Sequence, residues 1–195
     1  MEINIRVEGI ENIAKNLQAI PGALKFTVSN AIKVALNSAR TTADREIRAR
    51  YGVRQQAVLA DIGKPYVSGL MGIVRAQGQR LKAPQDFIGI RDEDPAGVVA
   101  PWVKNKPVTY PHAWMNDPAK GIMERADATG RYPLKFVDPP YSVPELLEQQ
   151  KDIQPKIEAK IRDVLYGTPG EMGELDRLMN FVLSTGQVPK SRWTR

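Results

Sequence analysis

The chain has 195 residues, of which 42% are apolar and 26% are charged, and its formal net charge is +6 at neutral pH. These values are typical of a globular domain with its own core. The absence of cysteine excludes disulfides and thiolate metal sites, and it is compatible with a reducing cytoplasm. The sequence has no run of eighteen apolar residues, and its first residues lack the apolar stretch of a signal peptide, so we expect no membrane span.

The first quarter of the chain predicts one strand followed by two helices. Residues 2–7 alternate apolar and polar side chains, which is the period of a half-buried strand. Between residues 10 and 20, apolar residues recur at intervals of three and four, which indicates a helix with one apolar stripe. Pro21 cannot continue that helix, but it suits the first turn of a second one. The stripe of this second, long helix runs to the neighbourhood of Gly52.

The middle of the chain is predicted to consist mainly of strands. Residues 53–62 indicate a short helix or turn, and residues 92–95 indicate a polar turn. Pro101 and Pro107 suit sheet edges or bulges, because proline cannot donate a hydrogen bond to a neighbouring strand. Apolar runs bounded by turn residues predict strands at residues 68–75, 87–91, 98–103 and 108–110.

The last third of the chain predicts a hairpin followed by helices. Residues 121–125 and 131–137 have the composition of two strands joined by a polar turn. Residues 143–165 carry a helical apolar stripe, and Pro155 predicts a break or restart near Asp152. After a linker with two glycines, residues 171–184 form a further amphipathic pattern.

This order of elements predicts an α+β fold. We expect the N-terminal strand and the long helices to pack on a mixed or antiparallel β-sheet, with helices at the C-terminal end. Residues 1–166 are predicted to form this domain. Residues 167–195 are predicted to form a linker, a short helix and a basic C-terminal extension.

The sequence carries few signals of catalysis. It contains no nucleophile elbow, phosphate-binding loop or dinucleotide fingerprint. His112 is the single histidine, and without cysteine it does not define a zinc site. The run Asp92, Glu93 and Asp94 offers oxygen ligands, but it lacks the glycine and the terminal glutamate of a calcium loop. We therefore expect no enzyme, no metal and no cofactor, and a hydrolase built on that acidic run stands as an alternative.

Arginines are concentrated at the end of the long helix and just after it. Three interpretations remain open: contact with DNA phosphates, an intersubunit surface with bidentate pairing, and an exposed helix end stabilised by the helix dipole. Trp102 and Trp114 are expected in the core, whereas Trp193 is a candidate anchor for a partner. The arginines concerned are Arg40, Arg45, Arg48, Arg50 and Arg54.

Four segments in the second half of the chain occur in a characteristic order. An Ala-Trp pair at residues 113–114 precedes Gly-Ile-Met-Glu-Arg at residues 121–125. Arg-Tyr-Pro-Leu-Lys follows at residues 131–135, and Pro-Tyr-Ser-Val-Pro at residues 140–144 leads into a helix. This order resembles the signature of the minor tail protein Z family of tailed bacteriophages, the tail-completion proteins. That family usually has a glycine before the Pro-Ser element, where this chain has Pro139 and Pro140.

The N-terminal segments are similar to the wider set of phage neck and tail-completion proteins. They comprise Val-Glu-Gly-Ile at residues 7–10, the alanine-rich stretch at residues 31–39 and the arginine-rich stretch at residues 41–53. The resemblance implies a structural virion protein that is made in the host cytoplasm and acts at the head-proximal end of the tail. It also implies a homo-oligomeric ring that contacts tail terminator, tail tube or head–tail connector proteins, with DNA nearby in the channel and no membrane partner.

A second function also fits the sequence: a basic DNA-binding or assembly-factor protein that is not retained in the particle. For the tail-completion interpretation we predict one set of subunit or partner contacts, drawn from the arginines, the resembling segments and the C-terminal tail. This predicted interface comprises Arg45, Arg48, Arg50, Arg125, Arg131, Tyr141 and Trp193.

Overall fold

The computed structural model describes residues 2–6, 22–68, 71–93, 96–115, 121–125, 134–137, 139 and 141–185. This part of the chain contains five helices and nine strands. The helices are α1 (Gly22–Arg50), α2 (Gln55–Asp61), α3 (Val143–Gln149), α4 (Ile153–Tyr166) and α5 (Glu174–Thr185). The strands are β1 (Glu2–Arg6), β2 (Tyr66–Ser68), β3 (Met71–Gln77), β4 (Arg91–Glu93), β5 (Gly97–Val103), β6 (Lys106–Tyr110), β7 (Ala113–Trp114), β8 (Met123–Arg125) and β9 (Leu134–Phe136).

The strands form three small sheets, in the orders β1-β3-β2, β4-β5-β6 and β7-β8-β9. The pairs β2–β3, β4–β5, β5–β6, β7–β8 and β8–β9 are antiparallel. The predicted α+β class is therefore confirmed, with the strands divided among three sheets.

The chain divides into two compact units that do not follow chain order. The first unit comprises Asp44–Ile62 and Ala76–Gln150. The second unit comprises Glu2–Ala43, Gly63–Arg75 and Lys151–Arg195. The predicted boundary near residue 166 stays a prediction.

In the second unit, α1 packs closely on the hairpin formed by β2 and β3. Its buried stripe recurs at intervals of three and four, and small alanines in it permit a close approach. Gly72 of β3 lies directly against this stripe, where an added Cβ would be 2.5 Å from Cγ2 of Ile32 and from Cδ1 of Leu36. The stripe consists of Val28, Ala31, Ile32, Ala35, Leu36 and Ala39.

The other described helices of the second unit are α4 and α5, which contact each other. The buried face of α4 consists of Ile153, Ile157, Ile161 and Leu165, at the spacing of one helical stripe. The chain leaves the preceding helix at Gln150 and restarts at Ile153, which confirms the predicted break near Asp152.

In the first unit, β5 is the central strand of its sheet. Val98, Ala100 and Trp102 point to its buried side. The register with β6 shifts between Ala100 and Val103, so Pro101 lies at an irregularity, as the sequence predicts. The Trp102 ring packs edge-on against Phe87, with 4.7 Å between the centroids.

The start of α3, also in the first unit, is a capping box. The Ser142 hydroxyl accepts a hydrogen bond from the Glu145 backbone N–H at 3.4 Å, and the Glu145 carboxylate accepts one from the Ser142 N–H at 2.7 Å. The hydrogen bond from the Ser142 N–H, and a second one that the Ser142 hydroxyl donates to the same carboxylate at 2.9 Å, stabilise the ionised form and lower the pKa of Glu145. The start of the helix, which the sequence predicts after residue 142, is therefore fixed by the neighbouring residues Ser142 and Glu145.

Two strand predictions and one turn prediction need correction. The run at residues 87–91 is not a strand, because Gly89 has φ +80° and interrupts the extended backbone. A strand begins instead at Arg91, so Asp92 and Glu93 lie in β4 and not in the predicted turn. The single strand expected at residues 68–75 is two paired strands, β2 and β3.

We predict that Gly72→Ala destabilises the protein, because the new methyl group must displace Ile32 and Leu36. Overpacking of this kind costs about 1–3 kcal/mol. For a chain of this length, that corresponds to a fall in Tm of roughly 2–10 °C, measurable by differential scanning calorimetry. The matched control is Gly63→Ala, where the nearest atom is the Arg75 carbonyl oxygen at 3.4 Å. Equal Tm values for the two variants would contradict the close packing at Gly72.

Candidate outer sheet face

The sheet formed by β7, β8 and β9 contains parts of three of the four segments that carry the family resemblance. In its register Trp114 lies opposite Met123, and Met123 lies opposite Phe136. Arg125 lies opposite Leu134 in the next row. Because opposite residues of antiparallel strands share one face, these five side chains belong to the same side of the sheet.

The two sides of this sheet differ in burial. On one side Ala113, Ile122 and Val137 are buried. On the opposite side Phe136 is 60% exposed and Leu134 is 36% exposed. We call this exposed side the outer sheet face and define it by Trp114, Met123, Arg125, Leu134 and Phe136.

Aromatic and cationic groups meet on the outer sheet face. The guanidinium of Arg125 lies over the Trp114 ring, 5.5 Å from its centroid. Such a cation–π contact holds a long side chain against an apolar surface. Tryptophan, phenylalanine, methionine and arginine are also the residue types enriched in the cores of protein interfaces. The arrangement is therefore suited to binding another protein.

The charges on the inner side of the same sheet are already paired. Nζ of Lys135 lies 3.0 Å from Oε2 of Glu124, whose side chain is 15% exposed. Cross-strand pairing of opposite charges stabilises the β8–β9 contact. As a result, Arg125 is the charged member of the outer sheet face.

The predicted interface residues at the end of α1 have different roles. The Asp44 carboxylate is 1% exposed, and it accepts two hydrogen bonds from the Arg48 guanidinium, both at 2.8 Å. It also accepts one from the Gln55 amide at 3.1 Å. The hydrogen bonds to Asp44 raise the pKa of Arg48. Arg48 is thus occupied by a contact within the first unit, whereas Arg45 and Arg50 are exposed.

The remaining predicted interface residues are less informative. Tyr141 is half-buried and packs edge-on against Tyr51, with 5.5 Å between ring centroids. Arg131 and Trp193 lie outside the described residues. The structure therefore brings Arg125 together with Trp114, and Arg48 together with Asp44. Sequence reasoning missed Met123, Leu134 and Phe136, although the alternation Leu134-Lys135-Phe136 was a usable signal for the last two.

A half-buried carboxylate lies elsewhere in the first unit. The Asp61 side chain, at the end of α2, occupies the space beside Gly78 where a Cβ would stand. Removal from water, reinforced by the negative charge of Asp86, raises the pKa of Asp61 to about 6. Asp61 therefore retains a proton in the folded protein at a pH where it would be ionised in the unfolded chain.

The described residues contain no group of three or more His, Asp or Glu side chains placed to hold a metal ion. None of the described helices is long and apolar enough to cross a membrane. His112 is exposed.

Comparison with known proteins yields no match: no family model, no curated protein and no solved structure is similar to this chain. The geometry of the outer sheet face and the order of its sequence segments therefore carry the functional argument.

We predict that Asp44→Ala destabilises the protein by about 2 kcal/mol, because it leaves Arg48 and Gln55 without their shared acceptor. The partial exposure of Arg48 keeps this value below that of a fully buried ion pair. Urea unfolding checks it, with Arg45→Ala as the exposed neighbouring control at less than about 0.5 kcal/mol. If Asp44→Ala lowers the free energy of unfolding by no more than the amount expected for Arg45→Ala, the Asp44 contacts contribute little to stability.

We predict that Asp61→Asn stabilises the protein at pH 7.5 and leaves its stability unchanged at pH 4. A carboxyl whose pKa is raised on folding favours the folded state while protonated, and this contribution is lost as pH rises from about 4 to 6. Solvent screening reduces the expected gain at pH 7.5 to about 1 kcal/mol. The test is to measure the free energy of unfolding of the unchanged protein and of Asp61→Asn at pH 4 and at pH 7.5. An equal gain in stability at the two pH values would contradict the titration of Asp61.

Proposed function

We propose that this protein is a structural virion protein that completes the head-proximal end of a phage tail and joins it to the head. The main support is the order of the resembling segments, parts of which lie in the sheet that has the outer sheet face. The segments that resemble the tail-completion family include Ala113–Trp114 and Met123–Arg125, and these same strands form the outer sheet face. Of the outer sheet face, Trp114, Met123, Arg125 and Leu134 lie within the resembling segments, and Phe136 directly follows one of them.

The proposed mechanism is binding without catalysis. In a ring, each copy presents one surface to its neighbour and another to the tail or the connector. We assign the outer sheet face to one of these contacts, with Trp114 and Phe136 as anchors that leave water on binding. Arg125 supplies the cation for an acidic group on the partner. At the end of α1, the exposed Arg45 offers a further contact.

The second candidate is a basic DNA-binding or assembly-factor protein that is absent from the finished particle. The distribution of charge favours it: the ranges of the first unit contain 13 basic and 13 acidic residues, whereas those of the second contain 15 and 9. The first unit is therefore neutral in formal charge. The second unit has a formal charge of +6, which is the net charge of the whole chain. Such a protein binds DNA with an affinity that falls steeply with salt concentration.

We predict that Arg125→Glu and Phe136→Lys, tested singly, each lower the infectious titre at least tenfold when they complement a phage that lacks this gene. Each change introduces a charge that must lose water in a contact centred on the outer sheet face. Heads and tails should then accumulate without joining, as counted by negative-stain electron microscopy.

The matched control is Arg91→Glu, which reverses an exposed charge on β4 of the same unit. Its titre should equal that of the unchanged protein, and all variants should accumulate to the same level in cells. Full infectivity of both outer-face variants would contradict the proposed contact. Normal head–tail joining after deletion of the gene would contradict the proposed function as a whole.

A further inference from the structure

The strand β9 is an edge strand whose outward backbone groups can be identified. The Val137 N–H donates a hydrogen bond to the Ile122 carbonyl at 2.9 Å, in register with the β8–β9 pairs. Hydrogen-bonded and non-bonded pairs alternate along an antiparallel ladder. Lys135 therefore bonds towards β8, whereas the N–H and C=O groups of Leu134 and Phe136 point to the opposite, open side. Among the described residues, no further strand pairs with β9.

Two other outer strands of the first unit, β4 and β6, carry features that block strand addition. All three residues of β4 are charged, and β6 contains Pro107, which lacks an N–H. Natural sheets use charges and proline in this way to prevent pairing at their edges. By contrast, β9 presents Leu134 and Phe136, both exposed, around one lysine. Among the described residues, no strand covers the β9 edge, and the charge of its one lysine is already paired with Glu124.

We propose that the β9 edge binds an extended segment of another protein by strand addition. The segment forms backbone hydrogen bonds with Leu134 and Phe136 and carries apolar side chains opposite them, continuing the outer sheet face. The residue between those side chains lies opposite Lys135 and is acidic. This proposal does not depend on a phage origin of the protein.

Charge complementarity selects this occupant. The Glu124 carboxylate already pairs with Lys135 on the side of β8, so an acidic residue from the open side completes a row of alternating charges. Pairing of β9 with β9 of a second copy, in the register centred on this three-residue strand, would join the same outward groups but place Lys135 opposite the same lysine of the other copy. Like charges directly opposite each other destabilise a sheet.

The first test is a binding titration with a fluorescein-labelled peptide that has a Val-Glu-Val centre flanked by threonines. We expect saturable fluorescence anisotropy with the full-length protein. Replacing the central glutamate with lysine should weaken binding roughly fivefold. A peptide N-methylated at both valines should bind at least tenfold more weakly, because the edge hydrogen bonds cannot form. Equal binding of the three peptides would overturn the proposal.

The second test locates the bound peptide by amide hydrogen exchange read by NMR. The amides of Leu134 and Phe136 should gain protection on addition of the Val-Glu-Val peptide, whereas the Lys135 amide should be protected before and after. Protection of Leu134 and Phe136 that grows with protein concentration without peptide would overturn the proposal and assign the edge to a second copy. Unchanged exchange at both amides would overturn it as well.

A protein variant completes the test. Leu134→Pro removes an outward N–H and leaves the bonds between Lys135 and β8 in place, so peptide binding should fall at least tenfold. The N-methylated peptide removes the same kind of hydrogen bond from the other side and does not depend on how this variant folds. Undiminished binding by a folded Leu134→Pro variant would contradict strand addition at β9.

Discussion

The position of β8 between β7 and β9 is the constraint on which the functional account depends. A strand of three residues, paired on both sides, fixes which side chains share a face and which backbone groups remain open. The inner side is buried through Ile122, Ala113 and Val137. The two-residue period then places Trp114, Arg125 and Phe136 on the outer side, where Arg125 and Phe136 are exposed and Trp114 is half-buried. A shift of the register by one residue would bury Arg125 and Phe136 and expose Glu124.

Some of the arginines are held by hydrogen bonds within the fold, whereas Arg125 lies on an exposed surface. Asp44 is buried, and a buried carboxylate without a partner is costly, so Arg48 and Gln55 are required there for the fold. The Arg54 guanidinium donates to the Phe87 carbonyl oxygen at 3.1 Å and holds that loop. An arginine cluster in sequence is therefore only partly available for a partner. Arg125, held over Trp114, is instead presented on an exposed surface.

The sequence predicts those parts of the fold that depend on local periodicity. The apolar stripe through Ile32 and Leu36 predicts α1. Pro155 predicts that one helix ends and another begins near Asp152, because proline does not fit the interior of a helix. The run at residues 87–91 misleads because Gly89 takes a conformation that hydrophobicity does not encode. The grouping of strands into three sheets likewise depends on which distant segments pair.

The outer sheet face is likewise predictable from the sequence only in part. Arg125 and Trp114 are identifiable as members of resembling segments, but their stacking requires the β7–β8 register. The residue type of Phe136 does not predict its exposure, because a single phenylalanine in a strand can lie in a core as readily as on a surface. The raised pKa of Asp61 depends first on the burial of its side chain and then on its approach to Asp86, which is distant in sequence.

Under the proposed function, the outer sheet face is a protein contact at a head–tail junction. Cryo-electron microscopy of phage particles assembled in the presence of this protein is the most direct test. We expect a ring of this protein at the junction, with Trp114, Arg125 and Phe136 covered by a neighbouring chain. A ring in which these side chains face solvent would contradict the assignment of the interface. Absence of the protein from the particles would contradict the tail-completion function and favour a DNA-binding assembly factor.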